Sequence, residues 1–191
     1  MQSLDRRLSQ EALSALPVGD ILWVALVAVS SIVFSLALAC ATPFAAIAAV
    51  AATRMRRRDA FSLVAVTWFS NQAVGYLVLG YPRTWDSFAW GGAIGLAAGL
   101  ATFAAMAATL RLRVTLLPLA TPFLAAFLSY EVVLFAMTAI LPSGAAAFSI
   151  ASVCKILAIN LSALAVLLIL HRLAAAIGLI AALPQLSANR A

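Results

Sequence analysis

The chain has 191 residues, of which 65% are hydrophobic and 9% charged, with a mean hydropathy of +1.11. Soluble domains carry roughly a quarter charged residues, so lipid must solvate much of this chain; disorder and a two-cysteine disulfide scaffold are excluded by the same composition. The net charge of +6 would mark a nucleic-acid binder only on a water-soluble basic surface, and here the arginines fall in short loops between apolar runs.

Residues 1–19 are polar and amphipathic, with Leu4, Leu8, Leu13 and Leu16 among charges. They read as an interfacial cytoplasmic helix, because the apolar core of a cleaved signal is missing. Residues 20–172 then supply six apolar runs, each near the 20 or so residues that a bilayer-spanning helix requires. The first runs from Asp20 to Cys40. Thr42-Pro43 breaks the chain before the alanine-rich second run, Phe44 to Thr53, which is short enough to span obliquely or incompletely. The third covers Ala60 to Leu79, the fourth Trp85 to Leu110, the fifth Thr115 to Leu141 and the sixth Ala145 to Leu170. Residues 173–191 read as a cytoplasmic C-terminal segment that first extends the sixth helix or lies at the interface. Helices are required because lipid-facing backbone must satisfy its own hydrogen bonds, and the runs lack the alternation of barrel strands.

Arg6 and Arg7, Arg54 and Arg56 to Arg58, Arg111 and Arg113, and His171-Arg172 all fall on one side of a six-span arrangement, and only Arg83 falls on the other. The positive-inside rule then puts both termini in the cytoplasm of a multi-pass inner-membrane protein. Anionic lipid head groups, rather than nucleic acid, are the natural partners of such loops. The expected fold is an all-α integral membrane protein, a six-helix bundle.

Small residues mark two packing surfaces. Gly91, Gly95 and Gly99 recur every four residues in the fourth run, a spacing that lets helices approach closely in lipid. Ala45, Ala48, Ala49 and Ala52 give the second run a small-residue surface that reads either as internal packing or as a docking face for a partner membrane protein. Two ionisable groups lie at membrane depth. Glu131 precedes Leu141 by ten residues and Lys155 follows Ala145 by ten. An antiparallel hairpin around Ser143 therefore levels them about 15 Å below the outer ends at 1.5 Å per residue. Two readings stand: an ion pair that fixes helix register, or the floor of an outward-opening cavity with Tyr130, Ser149 and Ser152 on its walls.

The third run carries a polar strip, Trp68, Gln72 and Tyr76 at four-residue spacing with Asn71 beside them, climbing toward the loop that holds Tyr81, Arg83, Trp85 and Asp86. Amides in lipid must face protein or water. Convergence of amide, guanidinium, carboxylate and aromatic groups at a bundle mouth is what a large polar cargo requires, so these residues are the expected substrate contacts. No paired histidines, nucleophile elbow, metalloprotease motif or phosphate loop accompanies them, which argues against an enzyme and against an intrinsic cofactor. No repeat relates the two halves, which weakens an inverted-repeat transporter.

This architecture resembles the S-components, the substrate-binding subunits, of energy-coupling factor transporters. The segment from Asn71 through Gln72, Gly75, Tyr76, Gly80, Tyr81 and Pro82, followed by Trp90-Gly91, is most similar to BtuM-type cobalamin transporters. The resemblance implies cobalamin, or a related corrinoid, as transported ligand, captured from the outer side. It also implies partnership with a separate transmembrane subunit and ATPases, or solitary operation. Members of that type can present a cysteine near the outer end of the third helix as a cobalt ligand; Tyr76 stands at that position here, and Cys40 and Cys154 belong to other runs. Thiolate ligation is therefore not expected. The alternatives are an S-component for another vitamin or cofactor precursor, a proton or ion pathway built on Glu131 and Lys155, and a non-transporting membrane scaffold.

Overall fold

A computed structural model describes residues 42–111, 119–142, 144 and 148–176. These residues are all-helical, with no strand among them: α1 (Phe44–Arg54), α2 (Arg57–Leu77), α3 (Trp85–Arg111), α4 (Ala120–Met137) and α5 (Ile150–Ala176). Helix α3, helix α4 and the Ile150–Leu173 part of α5 are long and apolar enough to cross a membrane. The expected first span, the 1–19 segment and residues 177–191 lie outside the described residues.

Helix boundaries follow local chemistry. Pro43 is the N-cap of α1, so the expected break at Thr42-Pro43 is where the helix begins; the Phe44 N–H donates to the Thr42 carbonyl at 2.8 Å. A two-residue extended link, Met55-Arg56, separates α1 from α2. At the end of α4 the Thr138, Ala139 and Ile140 N–H groups reach back three residues instead of four, tightening the helix into a turn well before Leu141. Ser149 caps α5: its Oγ accepts the Ser152 N–H at 3.2 Å and lies 2.9 Å from the Ser152 Oγ. Both serines are thus engaged at a helix start.

The short helix α1 is the hub. It packs against each of the other four described helices, while α3 lies along α4 and α5 rests on α1 without running closely beside α4. Every residue from Phe44 to Ala51 is buried, with Ala46, Ala48, Ala49 and Ala51 at 0% exposure. An 11-residue helix is only about 16 Å long at 1.5 Å per residue, so it does not span a bilayer by itself. Its alanines let surrounding backbones come close, which is the packing available in lipid where no hydrophobic effect assembles helices. This corrects the docking expectation: Ala45, Ala48 and Ala49 are enclosed, and Ala52 packs partly buried against the same core.

A central helix has a buried start whose first N–H groups need partners. One comes from α5: Asn160, 3% exposed, accepts the Ala46 N–H through Oδ1 at 3.2 Å and donates from Nδ2 to the Ile156 carbonyl at 3.0 Å. The pairing spans 114 positions of sequence and pins α5 to α1.

Candidate functional site

The polar strip on α2 is built into the α2–α3 contact. Buried Asn71 donates from Nδ2 to the Thr42 Oγ1, and Gln72 donates from Nε2 to the Asn71 Oδ1 at 3.3 Å. Trp68 donates from Nε1 to the Gly91 carbonyl at 2.8 Å. The Tyr76 hydroxyl lies 3.1 Å from the Ser87 Oγ, and its ring stacks on Phe88 at 4.8 Å and meets Tyr81 edge-on at 5.7 Å. Tyr81 folds back over Gly75, whose carbonyl accepts the Tyr81 N–H at 3.0 Å. Gly80, at φ 69°, makes the reversal; a side chain there is strained.

The glycines of this segment are close-approach positions. A Cβ on Gly75 would strike the Tyr81 ring, one on Gly91 would lie 2.6 Å from the Gln72 Oε1, and one on Gly95 would lie 2.8 Å from the Trp68 indole. Gly99 meets nothing within 4 Å, so the four-residue glycine seam is closed by α2 at its first two members and opens at its third. An apolar groove of about 310 Å³ lies there between Phe61, Val64 and Trp68 of α2 and Gly92, Gly95 and Gly99 of α3. Trp68, Asn71, Gln72, Tyr76 and Tyr81 therefore form an interlocked cap. Arg83 and Trp85 are exposed, Trp85 at 69%, and Asp86 sits half-buried in the first turn of α3. The expected vestibule walled by these residues is replaced, on α2, by contacts between helices.

A second space lies beside the cap. It is a cavity of about 350 Å³ lined by Trp90 and Ile94 of α3, Glu131 and Leu134 of α4, Gly144 and Phe148 of the α4–α5 connection, and Ile156 of α5. Trp90 is fixed in its wall: its Nε1 donates to the Pro142 carbonyl at 2.9 Å and its ring lies against Gly144, where a Cβ would collide with it. Phe148 is held edge-on to Phe135 at 5.5 Å. Glu131 contributes a carboxyl group whose two oxygens are shielded from solvent and have no hydrogen-bond partner among the described residues.

Lys155 is exposed, and the expected ion pair with Glu131 is not formed. The physical reason is the position of α5. It packs on α1, and the cavity separates its first turns from α4. Ile156 faces that cavity, so Lys155, about 100° away around the helix, is turned toward the surface. Tyr130, the neighbour of Glu131, points the other way and packs against Phe44 with ring centroids 5.9 Å apart. Of the expected site residues, the structure brings Glu131 alone into this cavity, and Trp90, Ile94, Leu134, Phe148 and Ile156 were missed. A helical reading outward from Glu131 finds Leu134 at i+3, and one from Trp90 finds Ile94 at i+4; the other two need the tertiary fold.

At the opposite ends of the helices stand Arg54, Arg57, Arg58 and Arg111, and His171 on α5 lies in the electrostatic reach of Arg54. Cys154 is an exposed free thiol on α5; Cys40 lies outside the described residues. No group of three or more potential metal-ligating His, Cys, Asp or Glu residues occurs among the described residues.

No family model, curated protein or solved structure matches the chain.

Proposed function

We propose that the chain is a membrane-embedded substrate-binding protein of the S-component type, taking up a vitamin, with cobalamin or a related corrinoid as the cargo that its Asn71-to-Gly91 segment implies. In this proposal the bundle lies in the inner membrane with the short α1 enclosed at its centre, and cargo enters at the end where the α2–α3 cap and the α4–α5 connection meet. Separate transmembrane and ATPase subunits supply the energy. They dock elsewhere than on Ala45, Ala48 and Ala49, which are enclosed.

The observation that carries the proposal is the pocket beside Trp90: an open-sided apolar space with one convergent polar group among the described residues, adjoining the segment on which the resemblance rests. It lies about 9 Å along α4 from the helix end, six residues at 1.5 Å each. Peripheral amides of a corrinoid offer N–H groups to such a carboxyl, with the macrocycle resting across the exposed rim at Trp85 and Phe88.

The volume favours a second reading. At about 350 Å³ the cavity is at the compact end of ligand sites, which run about 300–1,000 Å³. A compact vitamin or cofactor precursor fits whole, whereas a corrinoid inserts only a sector of its periphery. The absorption spectrum of the purified, membrane-inserted chain after incubation with cyanocobalamin separates the two. Co-elution of the corrinoid bands with the protein is the expected result. A colourless protein that retains a compact radiolabelled vitamin establishes the second reading instead.

A further inference from the structure

The seven described residues lining the cavity differ sharply in what they offer a guest. Ile94, Leu134, Gly144, Phe148 and Ile156 have no polar side-chain atom, and the Trp90 N–H is already committed to Pro142. Glu131 supplies both of its oxygens, shielded from solvent and without a donor. A carboxylate accepts at about four lone-pair positions. Leaving that capacity unused on oxygens shielded from solvent is unfavourable unless something enters to use it.

Among the described residues no donor is poised to do so. Lys155, the nearest cation in the sequence pattern, is exposed, about 100° around α5 from Ile156. A divalent cation needs several oxygen ligands, and a lone carboxyl does not assemble them. Two oxygens on one planar group match a nitrogen that carries two or three hydrogens. A hydroxyl, with a single hydrogen, satisfies only one of them. The fixed indole of Trp90 and the ring of Phe148 add aromatic walls suited to an apolar or cationic body.

The geometry points to Glu131 as the specificity-determining residue of the cavity, accepting an N–H donor, a primary amide or an ammonium group, carried into it on an apolar or aromatic body. This assignment deepens the uptake proposal and rests on it for the cavity being a cargo site. It moves recognition from the α2 strip to α4.

Two probes of equal shape test it on the full chain in phospholipid nanodiscs. Benzylammonium and benzyl alcohol differ in the group presented to Glu131, and their affinities are measured by isothermal titration alongside that of cyanocobalamin. The ammonium probe binds at least about tenfold more tightly than the alcohol, as a charge-assisted hydrogen bond predicts, and Glu131→Gln removes the preference. The comparison within the unmodified protein stands even if the variant fails to fold. Ammonium preference without cyanocobalamin binding sinks the corrinoid cargo and leaves the Glu131 assignment intact. Cyanocobalamin binding that is equal in the unmodified chain and in Glu131→Gln, with no discrimination between the small probes, overturns the assignment and leaves corrinoid uptake standing. Binding of none of the three overturns both.

Discussion

The α2–α3 cap and the α3–α4–α5 cavity hold comparable polar chemistry and treat it in opposite ways. In the cap, Asn71, Gln72, Trp68 and Tyr76 each hydrogen-bond within the protein, and glycines at 75, 91 and 95 bring the backbones close enough for those contacts. In the cavity, Glu131 sits among apolar walls with its oxygens unmatched. Polar groups within a membrane protein are expensive in either case. Pairing makes the cap a structural joint, and the missing pair makes the cavity a place for something else. Polarity alone therefore does not identify a binding surface in lipid; the unfilled hydrogen-bonding capacity does.

The largest effect that separates the two regions is expected at Asn71. Replacing it, Asn71→Leu, removes its hydrogen bonds with the Thr42 hydroxyl and the Gln72 amide at a position that is 8% exposed. A loss of about 2–3 kcal/mol follows from removing hydrogen bonds at a buried position. Reversible unfolding in mixed micelles measures it. An Asn71→Leu protein as stable as the parent shows that the cap is not a joint and returns the α2 strip to the cargo site.

A smaller effect of opposite sign is expected in the cavity. Glu131→Leu removes a carboxyl group that no described residue satisfies and adds apolar volume to apolar walls, so the variant gains about 1 kcal/mol. Stability rises while binding is lost. The same unfolding assay reads the first effect and titration with cyanocobalamin or benzylammonium the second. Destabilisation by Glu131→Leu reveals an internal partner for the carboxyl and dissolves the contrast with the cap.

Much of the helical layout was legible in the sequence, because long apolar runs and Pro or Gly punctuation are local signals. The third, fourth and sixth expected runs overlap α2, α3 and α5 over most of their lengths, and the break at Thr42-Pro43 is the start of α1. The place of α1 was not legible. An alanine-rich helix shows the same composition whether it docks a partner or fills the centre of its own bundle, and only the tertiary contacts around Phe44 to Ala51 decide. For the site, an ionisable residue in an apolar run singles out Glu131, whose carboxyl has no hydrogen-bond partner among the described residues. The strip on α2 misled because sequence records the donors and acceptors but not their partners: Gly91, 20 residues from Asn71, supplies the surface and carbonyl that Gln72 and Trp68 use. Equal depth also misled at Lys155, since depth fixes height in the bilayer and leaves rotation about the helix axis open.

That last point yields the smallest expected effect and the finest test of the contrast. If α5 is rotated so that Ile156 lines the cavity, Lys155→Gln changes stability by no more than about 0.5 kcal/mol, the usual range for an exposed position. A buried Glu131–Lys155 pair behaves very differently, because removing one partner of such a pair strands the other at a cost of about 3–5 kcal/mol. The double-mutant cycle with Glu131→Gln separates the cases without assuming either. Sites with no shared partner add, to within about 0.5 kcal/mol. A coupling energy well above that bound means that lysine and carboxylate meet in the bilayer, and the cavity then carries an internal ion pair in place of an open acceptor. Additivity leaves Glu131 to the guest, and leaves Lys155 free to extend its long apolar stem along α5 toward the head groups, about five residues from the helix start.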